Sequence, residues 1–138
     1  MEQKKIIGAH LPADKTYEEM FDYANELNLL GIQFFSFSNR QWGIDKLVTD
    51  EKVNFFYKQR KENDDLFFVT HACYLINLAS DDDELRKKSC EALLSEVKRC
   101  KQLKVAATIV HPGSNKNSEK GMHNISESLK WILKKSTI

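Results

Sequence analysis

Four short apolar runs, each followed by a stretch of helical periodicity, restrict what this chain can fold into: IIGAHL, GIQFFSFS, LFFVTHAC and VAATIVHPG. Strand and helix in strict alternation imply a parallel sheet. Parallel neighbours cannot be joined by a tight turn, so each needs a long right-handed crossover, and the intervening helices supply it. The runs are almost continuously apolar, as in strands covered on both faces. The expectation is a single α/β domain over residues 1–138, built of four parallel βα repeats. The repeats fit either an open doubly wound sheet or part of a barrel.

The helices carry their own start and stop signals. Thr16 and Glu19 form a T-x-x-E capping box, and Tyr17, Met20, Phe21, Ala24 and Leu27 recur at helical spacing before Gly31. A second helix is expected from about Asp50 after the polar loop NRQWGIDKL, capped by Thr49, with Val53, Phe56 and Tyr57 inward. The third is bracketed by the acidic DDDEL and the basic KRCKQLK, the polarity a helix dipole favours. Its expected buried stripe is Leu85, Ala92, Leu93, Val97, Cys100 and Leu103. The fourth is expected from about Asn124, with Ile125, Leu129, Ile132 and Leu133 facing in.

Composition excludes more than it selects. A chain of 138 residues, 41% hydrophobic, holds one core. Its 21 basic and 20 acidic side chains leave a net charge of +1, so no global field marks a nucleic-acid or membrane binder. No apolar stretch reaches the roughly 18 residues of a membrane helix, and MEQKKIIGAH lacks a secretory pattern, so a cytoplasmic location with no membrane partner is expected. Cys73, Cys90 and Cys100 are odd in number with no C-x-x-C spacing, which fits reduced thiols.

The functional signal is histidine. His10, His71 and His111 each close one of the apolar runs, where the carboxyl ends of parallel strands converge on one face. A lone histidine there is more often a hydrogen-bonded structural residue; three in equivalent places favour a shared site. Neutral imidazoles offer nitrogen donors without adding charge, which suits zinc. There is no G-x-S-x-G elbow, glycine-rich phosphate loop or cysteine–histidine signature to support metal-free chemistry. His123, near a helix start, reads as solvent-exposed.

The strings IGAH, NRQW, H-x-x-YLINL, KSCEALLSEVKRC and VHPGS resemble the first half of endonuclease IV, in the same order and with similar gaps. The resemblance implies about half of a (β/α)8 TIM barrel. It also implies an apurinic/apyrimidinic endonuclease that uses three zinc ions to hydrolyse the DNA phosphodiester 5′ of an abasic site in base excision repair. His71 and His111 would bind one metal, and His10 would lie at the floor of the site. Arg40, Tyr74 and Leu75 would contact abasic DNA, an arginine plus an aromatic and an apolar wedge replacing lost stacking. On the residues alone, Leu75, Ile76 and Leu78 read equally well as core beneath a loop, with Tyr74 covering them.

Departures from the family pattern bear on activity. HPGSN carries Asn115 where the family has a second histidine, Ala72 replaces an acidic residue, Cys73 stands for serine, and Ser38 and Asn39 replace an asparagine–glutamine pair. An eight-stranded barrel takes about 250 residues. The bridging glutamate of the fifth strand and the later ligands have no counterpart in this sequence. The expectation is at most one partial zinc site and little turnover by the chain alone, with a second polypeptide or a second copy completing the barrel. The alternatives are a noncatalytic remnant or DNA-binding module, and a xylose isomerase-like sugar enzyme, from which YLINL and HPGS point away.

Overall fold

The computed structural model describes residues 7–12 and 15–136. In chain order it contains β1 (Gly8–His10), α1 (Tyr17–Glu26), β2 (Gly31–Phe34), α2 (Asp50–Glu62), β3 (Phe67–His71), α3 (Asp83–Leu103), β4 (Thr108–Ile109) and α4 (Ser118–Ser136). The strands form one parallel sheet in the order β1-β2-β3-β4, with Gly8 opposite Gly31, Gly31 opposite Phe67 and Thr70 opposite Thr108. An open doubly wound sheet reverses its strand order at a switch point; this sheet does not, and its sequential order is that of half a barrel. Glycine is required where β1 meets β2, because a Cβ on Gly8 would lie 2.4 Å from the Gly31 carbonyl oxygen.

Local signals explain the helix ends. The Thr16 hydroxyl accepts from the Glu19 N–H at 3.2 Å and the Glu19 carboxylate accepts from the Thr16 N–H at 2.8 Å, completing the capping box. Asp82 caps α3 by accepting from the N–H groups of Glu84 and Leu85, and Lys104 closes it in the left-handed conformation. Thr49 does stand at the N-cap of α2, but its side chain makes no capping bond. The fourth helix begins at Ser118 rather than near Asn124, because Asn117 caps it by accepting from the Lys120 N–H at 3.0 Å.

The core has two parts. Phe21, Phe34, Phe56 and Phe68 pack between α1, α2 and the sheet, with the Phe56 ring 5.1 Å from Phe68 and 5.5 Å from Phe21. Ala72, Ile76, Leu78, Cys90, Leu93 and Ile132 form the second cluster beneath α3 and α4. Leu85 and Val97 are only half-buried, and the buried face of α3 instead includes Ser89, Ser95, Glu96 and Arg99. In α4 the buried line is Gly121, Asn124, Ser128 and Ile132, whereas Leu129 and Leu133 are exposed, which corrects the inward stripe expected from sequence. The cause is polar: the Asn124 amide donates to the Ala79 and Ser80 carbonyls and turns that line toward the body of the protein. Cys73, Cys90 and Cys100 are free thiols. Among the described residues no helix is long and apolar enough to cross a membrane.

Phe56 is fully buried and meets four aromatic rings, those of Tyr17, Phe21, Phe34 and Phe68. Phe56→Ala should lower unfolding free energy by about 3–5 kcal/mol in denaturant titrations, and a loss below about 1 kcal/mol would show that this cluster does not hold the sheet to its helices.

Candidate functional site

Parallel pairing brings the ends of all four strands to one side of the sheet. His10 ends β1, His71 ends β3 and His111 follows β4 by two residues. The His71 ring lies 5.4 Å from His10 and 5.1 Å from His111. Strand β2 contributes no histidine; Phe35, the residue after it, fills that place at 4.9 Å from His10 and 5.2 Å from His71. Tyr74 completes the group at 5.3 Å from His71 and 5.8 Å from His111. Five rings drawn from the ends of all four strands therefore form one continuous array. Sequence reasoning missed Phe35, although its position at the end of GIQFF matches that of the histidines on the other strands.

The hydrogen bonds fix different roles for the imidazoles. His71 is 5% exposed, and its Nδ1 lies 2.7 Å from the Ala72 carbonyl oxygen. A carbonyl only accepts, so the proton resides on Nδ1 and the Nε2 lone pair is left bare, the arrangement in which histidines bind metals. At His10 the Gln33 amide nitrogen sits 2.6 Å from Nδ1 and donates to it, which puts the proton of the neutral ring on Nε2. That ring has no free lone pair facing outward. His10 is exposed, yet desolvation by its neighbours, followed by the charge of His71, lowers its pKa below the ordinary value.

Two loops meet over this array. In the loop after β3, Tyr74 is 54% and Leu75 39% exposed, while Ile76 and Leu78 are buried, so YLINL divides into an outward pair and a core pair. Asn77 bridges to the loop after β4: its amide nitrogen donates to the Ser114 carbonyl, and its Oδ1 accepts from the Ser114 and Ala79 N–H groups. Gly113, at φ +104°, leaves room for that bridge, since a Cβ there would lie 2.0 Å from Asn77 Oδ1. Arg40 is exposed in the loop after β2, its N–H bonded to Ser38 Oγ, and the neighbouring Asn39 carbonyl accepts from the Tyr74 N–H at 3.0 Å. The arginine loop and the Tyr74–Leu75 loop are thus joined through backbone.

Asn115 is directed elsewhere. Its amide nitrogen donates to the Ala79 carbonyl at 2.7 Å and to Asp81 at 2.8 Å. Cys73 is half-buried, and burial raises its thiol pKa, which favours the protonated form over a metal-binding thiolate. Ala72 is buried, and His123 is exposed on α4. Among the described residues no group of three or more His, Cys, Asp or Glu side chains could hold a metal ion. His71 and His111 offer two imidazoles with rings 5.1 Å apart, fewer donors than a tetrahedral zinc ion needs.

A sequential parallel half barrel with its polar residues at the strand ends defines a class: residues 21–136 match the family model of the xylose isomerase-like TIM barrel, and the chain belongs to that family. Among its relatives are proteins named probable endonuclease 4. It is 37% identical over 131 residues to a probable endonuclease 4 of Persephonella marina, covering 94% of this chain and 46% of the relative. A probable endonuclease 4 of Thermosipho melanesiensis is 35% identical over 133 residues, 94% of this chain and 47% of its own length. The crystal structure of endonuclease IV from Thermus thermophilus superposes with a TM-score of 0.80 at 28% identity, over 95% of this chain and 47% of that one. The chain spans about half the length of the relatives it matches. A D-tagatose 3-epimerase-like protein, with a TM-score of 0.68 at 16% identity, shares the fold.

A pH response follows from His10. Its folded pKa is lowered, so the unfolded chain takes up a proton first, near pH 6.5, and the stability that His10 contributes is full above that pH and is lost as pH drops below it. Denaturant midpoints compared at about pH 7.5 and about pH 5.5 should drop more in the wild type than in His10→Gln. An equal drop in both proteins would remove His10 from the explanation.

Proposed function

We propose that this chain, as a single domain over residues 1–138, supplies one half of an endonuclease IV-type active site that hydrolyses the DNA phosphodiester 5′ of an abasic site. The observation that carries the proposal is the His71–His111 pair, with rings 5.1 Å apart and the His71 Nε2 left free by its Nδ1 bond to Ala72. The relatives named endonuclease 4 give that pair its chemical setting. In this reading His71 and His111 hold one zinc ion. The chemistry that bound zinc supplies in such sites is an activated hydroxide and neutralisation of charge on phosphoryl oxygens. His10 lies at the floor, where its protonated Nε2 donates rather than ligates. Arg40 and the exposed Tyr74 and Leu75 enter the duplex at the abasic gap, where an aromatic and an apolar side chain substitute for the missing base. Free thiols at Cys73, Cys90 and Cys100 suit a cytoplasmic setting.

Two donors require partners for the rest of the metal shell. A second polypeptide, or a second copy, bringing the complementary half of the barrel would provide them. Among the described residues β1 pairs only with β2 and β4 only with β3, leaving two sheet edges open. Met122, Leu129 and Leu133 are exposed on α4, and Tyr23 on α1 and Leu27 at its C-cap are exposed as well. These apolar side chains are where a completing half would pack. The Asn115 amide, bonded to Ala79 and Asp81, supports, as a second reading, a DNA-binding module without catalysis.

Incision of a duplex with one abasic site separates the two. The chain alone, with zinc, should give no turnover. Mixed with the complementary half of the Persephonella marina relative it should give chelator-sensitive incision, reduced at least about 100-fold by His71→Ala or His111→Ala, since even outer partners of ligands contribute about 10–100-fold. Robust incision by the chain alone would overturn the half-site proposal. Duplex binding without incision in the mixture would select the noncatalytic module.

A further inference from the structure

Residues 35–49 connect β2 to α2 with no secondary structure of their own. A loop of this length keeps one shape only if something outside it supplies its hydrogen bonds. One face of α3 does so. Ser95, Arg99 and Gln102 lie on successive turns, at the spacing that stacks side chains along a helix. Ser95 Oγ accepts from the Asp45 N–H at 3.0 Å. Gln102 holds both polar groups of Val48, accepting from its N–H at 3.0 Å and donating to its carbonyl at 3.1 Å. Between them the Arg99 guanidinium donates to Ser36 Oγ at 2.7 Å, the Gly43 carbonyl at 2.9 Å and the Lys46 carbonyl at 2.7 Å.

Arg99 and its ion-pair partner Glu96 are each 4% exposed and 2.7 Å apart, and Ser36 also donates to Glu96. A buried charge pair needs every available hydrogen bond to offset its desolvation, so loop carbonyls seated on Arg99 are held strongly. The loop is shaped to reach them. Gly43 and Asp45 adopt left-handed backbone at φ 58° and 54°, and a Cβ on Gly43 would meet the Phe37 ring at 2.7 Å. Phe37 itself lies against the Arg99 guanidinium, 5.5 Å from its ring centre. Between the Ser36 and Gly43 anchors stands the exposed Arg40, beside the Asn39 carbonyl that holds Tyr74.

We infer that Arg99 is a positioning residue: from α3 it fastens both ends of the Ser36–Lys46 segment and so sets where Arg40 stands relative to the Tyr74–Leu75 loop. The anchoring is independent of ligand; its consequence for DNA rests on the assignment of Arg40 to the duplex. Arginine is needed because its planar fork serves a hydroxyl, a carboxylate and two carbonyls at once, which a lysine ammonium cannot match.

The test uses the full chain carrying Arg99→Lys, and a second variant, Glu96→Met with Arg99→Met, which removes both charges so that neither is left buried alone. Amide exchange of Asp45 and Val48 should accelerate about ten-fold or more in both variants, while the Ala72 amide, bonded to the Ile109 carbonyl, stays within about two-fold of wild type. Affinity for an abasic duplex should fall to that of Arg40→Ala, and adding Arg40→Ala to Arg99→Lys should cost nothing further. Unchanged loop exchange in the double-Met variant, or losses that add, would overturn the inference. If Arg40→Ala alone leaves duplex affinity unchanged, the DNA role of Arg40 fails and loop exchange by itself decides the anchoring.

Discussion

Parallel pairing is the constraint on which the rest of this molecule depends. Because β1 to β4 all run the same way, each must be followed by a crossover, and each crossover must leave from the same end of the sheet. That end collects whatever residue finishes each strand. Three strands finish on or near histidine and one on phenylalanine, and neighbouring strands stand about 4.8 Å apart. The 5.1 Å ring contact between His71 and His111, which come from adjacent strands, follows from that spacing; His10 and His71 belong to strands with β2 between them, and their 5.4 Å contact is made by the side chains. The site is thus a consequence of register, with the loops adding Tyr74, Leu75 and Arg40 above it.

Loops of such reach need support, and here it is polar. Asn77 joins the loops after β3 and β4 through paired side-chain to backbone bonds, and Gly113 clears the space for it. Arg99 and Gln102 do the equivalent for the longer loop after β2. Breaking a buried ion pair such as Glu96–Arg99 by removing one partner costs about 3–5 kcal/mol, mostly because the other charge is left stranded. Its place beneath a loop ties that loop's shape to the stability of the fold.

Much of this was legible in the sequence because it rests on short-range rules. The capping box at Thr16, the four-fold alternation and the strand-end histidines needed only periodicity and topology, and the YLINL and HPGS strings carried the family. What escaped needed three dimensions. The burial of Glu96 and Arg99 is invisible to a scheme that assigns charged residues outward. The rotation of α4 depends on Asn124 finding the carbonyls of Ala79 and Ser80, more than forty residues away. Asn115 reads as a lost ligand position in sequence, whereas in the fold it ties its loop to Ala79 and Asp81. Phe35 was passed over because an aromatic in a strand reads first as core.

At the strand ends one histidine, its Nδ1 bonded to a carbonyl and its Nε2 bare, stands beside another. Nitrogen-15 spectra of the imidazoles test this arrangement directly. The neutral ring of His71 should carry its proton on Nδ1, and zinc addition should move the Nε2 signal of His71 and a ring nitrogen of His111 while leaving His123 unchanged. A His71 protonated on Nε2, or zinc shifts no larger at His71 and His111 than at His123, would contradict the account.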